Sequence, residues 1–362
     1  MTRLLTRLSR SARSFRNTSA SRGSVGARLP IAAIGLAVLA LPSLGPVGCS
    51  EDGDSTPAPT SAPTSAPTSA PDAATSSPQA PSDARTEAQT KLDHGLATLE
   101  WLAARLERDD PLRLIDARSS VSDYQHGHLP EAVHLPADAL RISRLGLPAQ
   151  YVPDEVLITL FREAGVDPDV PVVVYAAADS ALDATLVLHA LARIGHDKAY
   201  LLEGGLPAWL ASGRELVQRY PTIEPGSLQL ARDETQSATL EDIRTFLATD
   251  APAVTLIDVR APEAYAGGGA RFARNGHIPG AINLPWTRLT TASNPHQPRP
   301  RAELRQILKA AGVPLDPTTP RIVYCGTGKQ ASAAHFILRR LLALESTRLY
   351  EGAWTEYATT NL

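Results

Sequence analysis

Apolar positions divide this chain into a stretch that cannot build a core and a longer one that builds the same core twice. From Ser50 to about Ala84, Pro, Ser, Thr and Ala dominate, an APTS unit recurs, and bulky apolar residues are absent. Such a segment has too little to bury and reads as a tether. Beyond Thr86 the pattern changes to short β-branched runs alternating with amphipathic stretches. Ile322, Val323 and Tyr324 read as a buried strand, and Phe336, Ile337, Leu341 and Leu342 fall on one face of a following helix. The alternation of strand and helix predicts an α/β fold with parallel sheets.

The second stretch is internally repeated. Ala97-Thr98-Leu99-Glu100 matches Ala238-Thr239-Leu240-Glu241, each placing a Thr to cap a helix with an acid in its first turn. LIDAR (114–118) matches LIDVR (256–260), and GHLPEAVHLP (127–136) matches GHIPGAINLP (276–285). Val172 to Tyr175 matches Arg321 to Tyr324, and Glu203-Gly204 answers Glu351-Gly352. The interval from His128 to Ala176 is 48 positions, the same as from His277 to Cys325. One fold therefore occurs twice, and only the second copy carries a cysteine at the end of its third matched strand. The first copy reads Ala176-Ala177-Ala178-Asp179-Ser180-Ala181 there, with neither thiol nor glycine.

The loop of the second copy is Cys325-Gly326-Thr327-Gly328-Lys329-Gln330. Between a strand and a helix N-terminus, such a loop turns backbone N–H groups toward a common centre and can hold an anion. Here the anion would be sulfur. With Lys329 beside it, the thiol is expected to have a lowered pKa and to act as a nucleophile. The plainer reading is a structural Cys at a strand end.

LIDVR, GHIPGAINLPW (276–286), YCGTGKQAS (324–332) and YEGAW (350–354), in this order, resemble the tandem rhodanese, or sulfurtransferase, family. The resemblance implies two rhodanese-like domains, each a parallel sheet flanked by helices. It also implies a catalytic Cys325 that carries sulfur as a persulfide, and a loop Gly326 to Gln330 that binds donor and persulfide. No cofactor is needed. The partners implied are a small sulfur donor and a thiol or cyanide acceptor, and the first domain would wall the cleft without reacting. Lys329 and Thr327 would meet the donor, and Lys329 suits thiosulfate more than 3-mercaptopyruvate. The stretch 146–153, where a first-domain His would serve the latter, has none. Asp258 and Arg260 are expected to support the site as a strand-end ion pair, and His277 to be packed rather than catalytic. Arg271 and Arg274, in an insertion absent from the first copy, could approach an anionic substrate or be solvated. The Pro-rich run from Thr290 to Arg301 carries no evident chemistry.

Two other readings compete. Dual-specificity phosphatases share this fold and a Cys-headed loop, but theirs is longer by one residue and ends in a phosphate-chelating Arg, where this chain has Ala331. A non-catalytic persulfide sensor or sulfur carrier tethered at a membrane is the other.

Composition adds little to this picture and the N-terminus adds more. A net charge of −3 gives no nucleic-acid signature, and no His/Cys/Asp spacing suggests a metal site. Two cysteines, Cys49 and Cys325, give no disulfide framework. The first 28 residues hold seven Arg and no acid, and the apolar run from Ile31 to Leu41 is too short to span a bilayer of roughly 30 Å. With Val47-Gly48-Cys49 following, the segment resembles a bacterial lipoprotein signal, implying export and lipidation of Cys49. Ordinary cleavage is the alternative, and Pro46 departs from the pattern. The expected organisation is thus an export signal over 1–49, a disordered linker over 50–88, an inactive rhodanese-like domain over 89–222, a connector over 223–236 and a catalytic domain over 237–362. Nothing in the sequence sets an oligomeric state.

Overall fold

The apolar runs become the central strands of two sheets. The structure, a computed structural model, describes residues 87, 89–249, 253–269 and 271–362. The predicted export signal, the tether and Cys49 lie outside the described residues. Among the latter, no helix is long and apolar enough to cross a membrane.

The first sheet contains β1 (Leu96–Ala97), β2 (Arg113–Asp116), β3 (Ala132–His134), β6 (Val172–Tyr175) and β7 (Ala199–Leu202), in the order β1-β7-β6-β2-β3. The second contains β8 (Ser237–Ala238), β9 (Thr255–Asp258), β10 (Ile282–Asn283), β11 (Arg321–Tyr324) and β12 (Thr347–Tyr350), in the order β10-β9-β11-β12-β8. Every pairing in both sheets is parallel. The second order is the first read backwards, as duplication of one fold requires. β6 and β11 are buried along their whole length, which explains runs without polar alternation. An antiparallel hairpin of β4 (Arg141–Arg144) and β5 (Leu147–Tyr151) projects from the first domain alone.

Local capping follows the sequence. Thr98 Oγ1 accepts from the Trp101 N–H, and Thr239 forms a reciprocal capping box with Asp242. The helix predicted after the cysteine loop runs as α-helix from Lys329 to His335 and continues as π-helix from Phe336 to Leu341.

All described residues belong to one compact unit. One apolar core runs through both domains, joining Leu186, Val187 and Leu191 of the Ala181–Arg193 helix to Val323, Ala331 and Ile337 of the second domain. The Ala181–Arg193 and Lys329–His335 helices follow the equivalent loops of the two copies, and they pack on each other across the interface. Whatever happens at one loop therefore happens against the other domain.

Candidate active site

Cys325 ends β11 at the bottom of its loop and is 1% exposed. The Gly328 N–H donates to its Sγ at 3.1 Å. Gly328 has φ +88°, a left-handed conformation that glycine adopts without a Cβ clash, and this turns the amide inward. Gly326 is held for another reason: a Cβ there would lie 2.8 Å from the Phe272 ring.

Burial pushes the Cys325 thiol above its ordinary pKa, and backbone N–H groups of Ala331, Thr327, Gly328 and Gln330 pull the other way without reversing it. The expected lowered pKa is corrected on this point. The cradle is present, but the sulfur sits in a dry site that disfavours a free charge.

The loop is tied down at both ends. Tyr324, immediately before the cysteine, accepts the Ile278 N–H at 3.0 Å on its hydroxyl and bonds Asp258. Arg260 donates from Nε to both Asp258 oxygens at 3.0 Å and from Nη2 to the Gly276 carbonyl at 2.7 Å. The same network recurs in the first domain as Arg118, Asp116, Tyr175 and the Leu129 N–H. On the other side, the Trp354 N–H donates to the Cys325 carbonyl at 2.8 Å, and Thr355 donates to the Gly326 carbonyl from both N–H and Oγ1. The YEGAW segment thus holds the loop from below. Its Ala353 has φ +55°, where the first copy has Gly205 at φ +59°. His277 donates or accepts through Nδ1 at the Tyr265 carbonyl, 2.8 Å away, and stacks on the Tyr265 ring, a packed role.

The first domain supplies groups that sequence reasoning missed. Lys329, expected beside the sulfur, ion-pairs with Asp183 of the Ala181–Arg193 helix. Asp183 is 1% exposed. Burial raises its pKa, opposed by hydrogen bonds and charge from Lys329 and by a hydrogen bond from Ser119. The Lys329 charge is therefore engaged across the interface by a first-domain carboxylate. Three residues on, Ser332 Oγ meets Thr185 Oγ1 at 2.8 Å. Arg141, on the hairpin, donates from Nη2 to the carbonyls of Thr327 and Ala149. A cation from the first domain thus holds the outer edge of the loop. No periodicity marks Arg141, because its partner is a carbonyl 186 positions away.

The second domain returns the arrangement. His296 Nε2 lies 2.6 Å from the Ala177 carbonyl of the thiol-less loop, and Asn294 donates to the Gly204 carbonyl at 2.9 Å. The run from Thr290 to Arg301 is therefore a cover for the first domain's loop, as the hairpin covers the second's.

A cleft of about 320 Å3 opens beside the cysteine loop, where Gly326 and Gln330 meet Arg260, Arg271, Phe272 and Trp354. Of the two insertion arginines, Arg271 lines this cleft. Arg274 instead donates to the Leu362 and Tyr357 carbonyls and lies 4.7 Å over the Tyr357 ring, so it anchors the C-terminus. Among the described residues, no cluster of three or more His, Cys, Asp or Glu could hold a metal ion.

Comparison with known proteins agrees with this geometry. A model of the rhodanese-like domain matches residues 98–212 and 239–360. The chain is 35% identical over 269 residues to a putative thiosulfate sulfurtransferase of Synechococcus elongatus, covering 72% of this chain and 82% of that protein. It is 28% identical to the sulfur carrier protein TtuD of Thermus thermophilus, covering 72% of this chain and 93% of that one. The crystal structure of SseA from Escherichia coli, described as a 3-mercaptopyruvate sulfotransferase, superposes with a TM-score of 0.64 at 28% identity, covering 72% of this chain and 99% of SseA. Two matched domains, one with a complete cysteine loop and one without, place this chain among the tandem-domain members of the rhodanese family of sulfurtransferases.

Proposed function

We propose that the protein moves sulfane sulfur from a small donor to a thiophilic acceptor through a persulfide on Cys325, with thiosulfate preferred to 3-mercaptopyruvate. The observation that carries this is the amide cradle around a single buried sulfur, with the Gly328 N–H already 3.1 Å from Sγ. The Cys325 thiolate attacks the outer sulfur of thiosulfate. A new S–S bond forms as the old one breaks, and sulfite leaves with the electron pair. Cyanide or a thiolate then attacks the outer sulfur of Cys–S–S⁻, and Cys325 departs as thiolate. The balance closes without a cofactor, and it predicts ping-pong kinetics. The N–H groups of the loop stabilise sulfur anion in each state, the logic of an oxyanion hole.

Asp258 and Arg260 hold the strand end, and Arg271 with Gln330 receives the donor's anionic group in the cleft. Lys329 and Thr327 shape the loop through Asp183 and Arg141. The thiosulfate preference rests on Arg271, which lines the cleft together with Glu263, since a dianion gains more from that cation than a monoanion does. Thiocyanate release with cyanide as acceptor tests the reading. Thiosulfate should give the higher kcat/KM, and Cys325→Ser should abolish release with both donors. A higher kcat/KM with 3-mercaptopyruvate would overturn the preference.

A second reading, a dedicated sulfur carrier, is favoured by the depth of Cys325 and its raised pKa, and by the likeness to a named carrier. It predicts stable persulfide formation with negligible turnover to cyanide. We also propose that the N-terminal segment exports the protein and that Cys49 carries the lipid. Radiolabelled palmitate should then enter the wild-type chain but not Cys49→Ala.

A further inference from the structure

The two interface helices enclose a second cavity, of about 510 Å3, that shares no residue with the Cys325–Gln330 loop. Leu188 and Phe336 give it an apolar wall, and His335, Arg340, Asp197 and Asp233 give it polar groups. Three of its features call for a ligand. First, His335 is 4% exposed and its Nε2 has no hydrogen-bond partner. The ring's own partner is the Thr347 main chain, and burial keeps the imidazole neutral. A buried ring nitrogen of this kind costs free energy until it finds a partner.

Second, the Arg340 guanidinium reaches only two backbone carbonyls, those of Asp197 and Ala199, each at a long 3.4 Å. No carboxylate among the described residues ion-pairs with it. Third, this stretch of the wall is the π-helix Phe336–Leu341, a local widening that concentrates at functional sites.

We propose that this cavity binds a free α-amino acid with an apolar side chain. Arg340 takes the carboxylate in place of its long carbonyl contacts. Leu188 and Phe336 cover the side chain, and an ammonium N–H donates to the His335 ring. The Asp197 carboxylate balances the ammonium charge, whereas Asp233 already accepts hydrogen bonds from Thr235 and Gln236. One guanidinium and one free carboxylate suit a zwitterion. The proposal is independent of the sulfur chemistry.

The test is calorimetric titration of the full chain with L-leucine, L-methionine and L-phenylalanine, with N-acetyl-L-leucine as the blocked control. The expected result is saturable binding of at least one amino acid in both wild type and Cys325→Ser. Affinity should fall about tenfold or more in Arg340→Met, where the charge-assisted bond is lost. Ala192→Phe, which fills the cavity from the opposite helix, should abolish binding, and N-acetyl-L-leucine should not bind. Absence of binding at millimolar concentrations, or its loss in Cys325→Ser, would overturn the proposal. So would equal binding of leucine and its N-acetyl derivative, a comparison that stands even if both cavity variants misfold.

Discussion

At the scale of single residues, the Cys325 sulfur is defined by a conflict between burial and amides. Cys325 is in a dry site that holds its proton, and the loop N–H groups act on whatever anion forms there. Because the pKa is raised, the thiolate fraction at neutral pH is smaller than for an exposed thiol. Inactivation by iodoacetamide should therefore keep accelerating with pH and level off only above the ordinary thiol pKa; a plateau already at pH about 7 would contradict this. Ala353 gives a second prediction. It sits at φ +55° with a Cβ, where the first copy uses glycine. Ala353→Gly should stabilise the fold by about 1 kcal/mol in urea unfolding, the cost of a left-handed non-glycine residue. Cys325, its loop and the Asp258–Arg260 pair were legible in the sequence because each is set by neighbours a few positions away. The direction of the thiol's pKa was not, since burial is contributed by distant elements.

At the scale of elements, the two helices following the equivalent loops decide what each loop can do. Lys329 is paired with Asp183, and the hairpin's Arg141 holds the Thr327 carbonyl. Sequence spacing could not reveal either contact, because an α/β repeat shows which strands are alike but not which faces of the copies meet. The Lys329 side chain is partly exposed while Asp183 is buried, so truncating the lysine leaves Asp183 with only its hydrogen bond from Ser119. Lys329→Met should accordingly cost about 1 to 2 kcal/mol of stability, with part recovered in Lys329→Met/Asp183→Asn, as a double-mutant cycle would measure. The equivalent loops are also unequal as elements. The first is a 3-10 turn over Ala178–Ser180 without a left-handed glycine to aim its amides. Adding Ala176→Cys to Cys325→Ser should therefore place a thiol at the matching position and restore no sulfur transfer.

At the scale of the whole molecule, the domains are joined by one core and by a pair of buried histidines. His189 stands edge-on to His335 with ring centroids 4.9 Å apart, and its Nδ1 lies 3.0 Å from the Tyr151 hydroxyl. Burial holds His189 neutral, pushing its pKa down to about 4, and moves His335 in the same direction. The unfolded chain then binds more protons than the folded one across this range. The stability contribution is complete above the ordinary histidine pKa near 6.5 and is lost as pH falls toward about 4. His189→Gln should flatten that part of the pH–stability curve by roughly 3 kcal/mol relative to wild type. The duplication and the α/β class were readable from matched motifs. The exchange of covers, with the first domain's hairpin over the active loop and His296 over the empty one, emerges only when both copies are folded together.

The central claim is that Cys325 carries the transferred sulfur. Intact-protein mass spectrometry after brief exposure to thiosulfate, with and without a cyanide chase, tests it most directly. The wild-type chain should gain the mass of one sulfur atom, cyanide should remove it as thiocyanate, and Cys325→Ser should gain nothing. Sulfur appearing on the Cys325→Ser chain, or a wild-type chain that turns over thiosulfate without ever carrying the added mass, would contradict it.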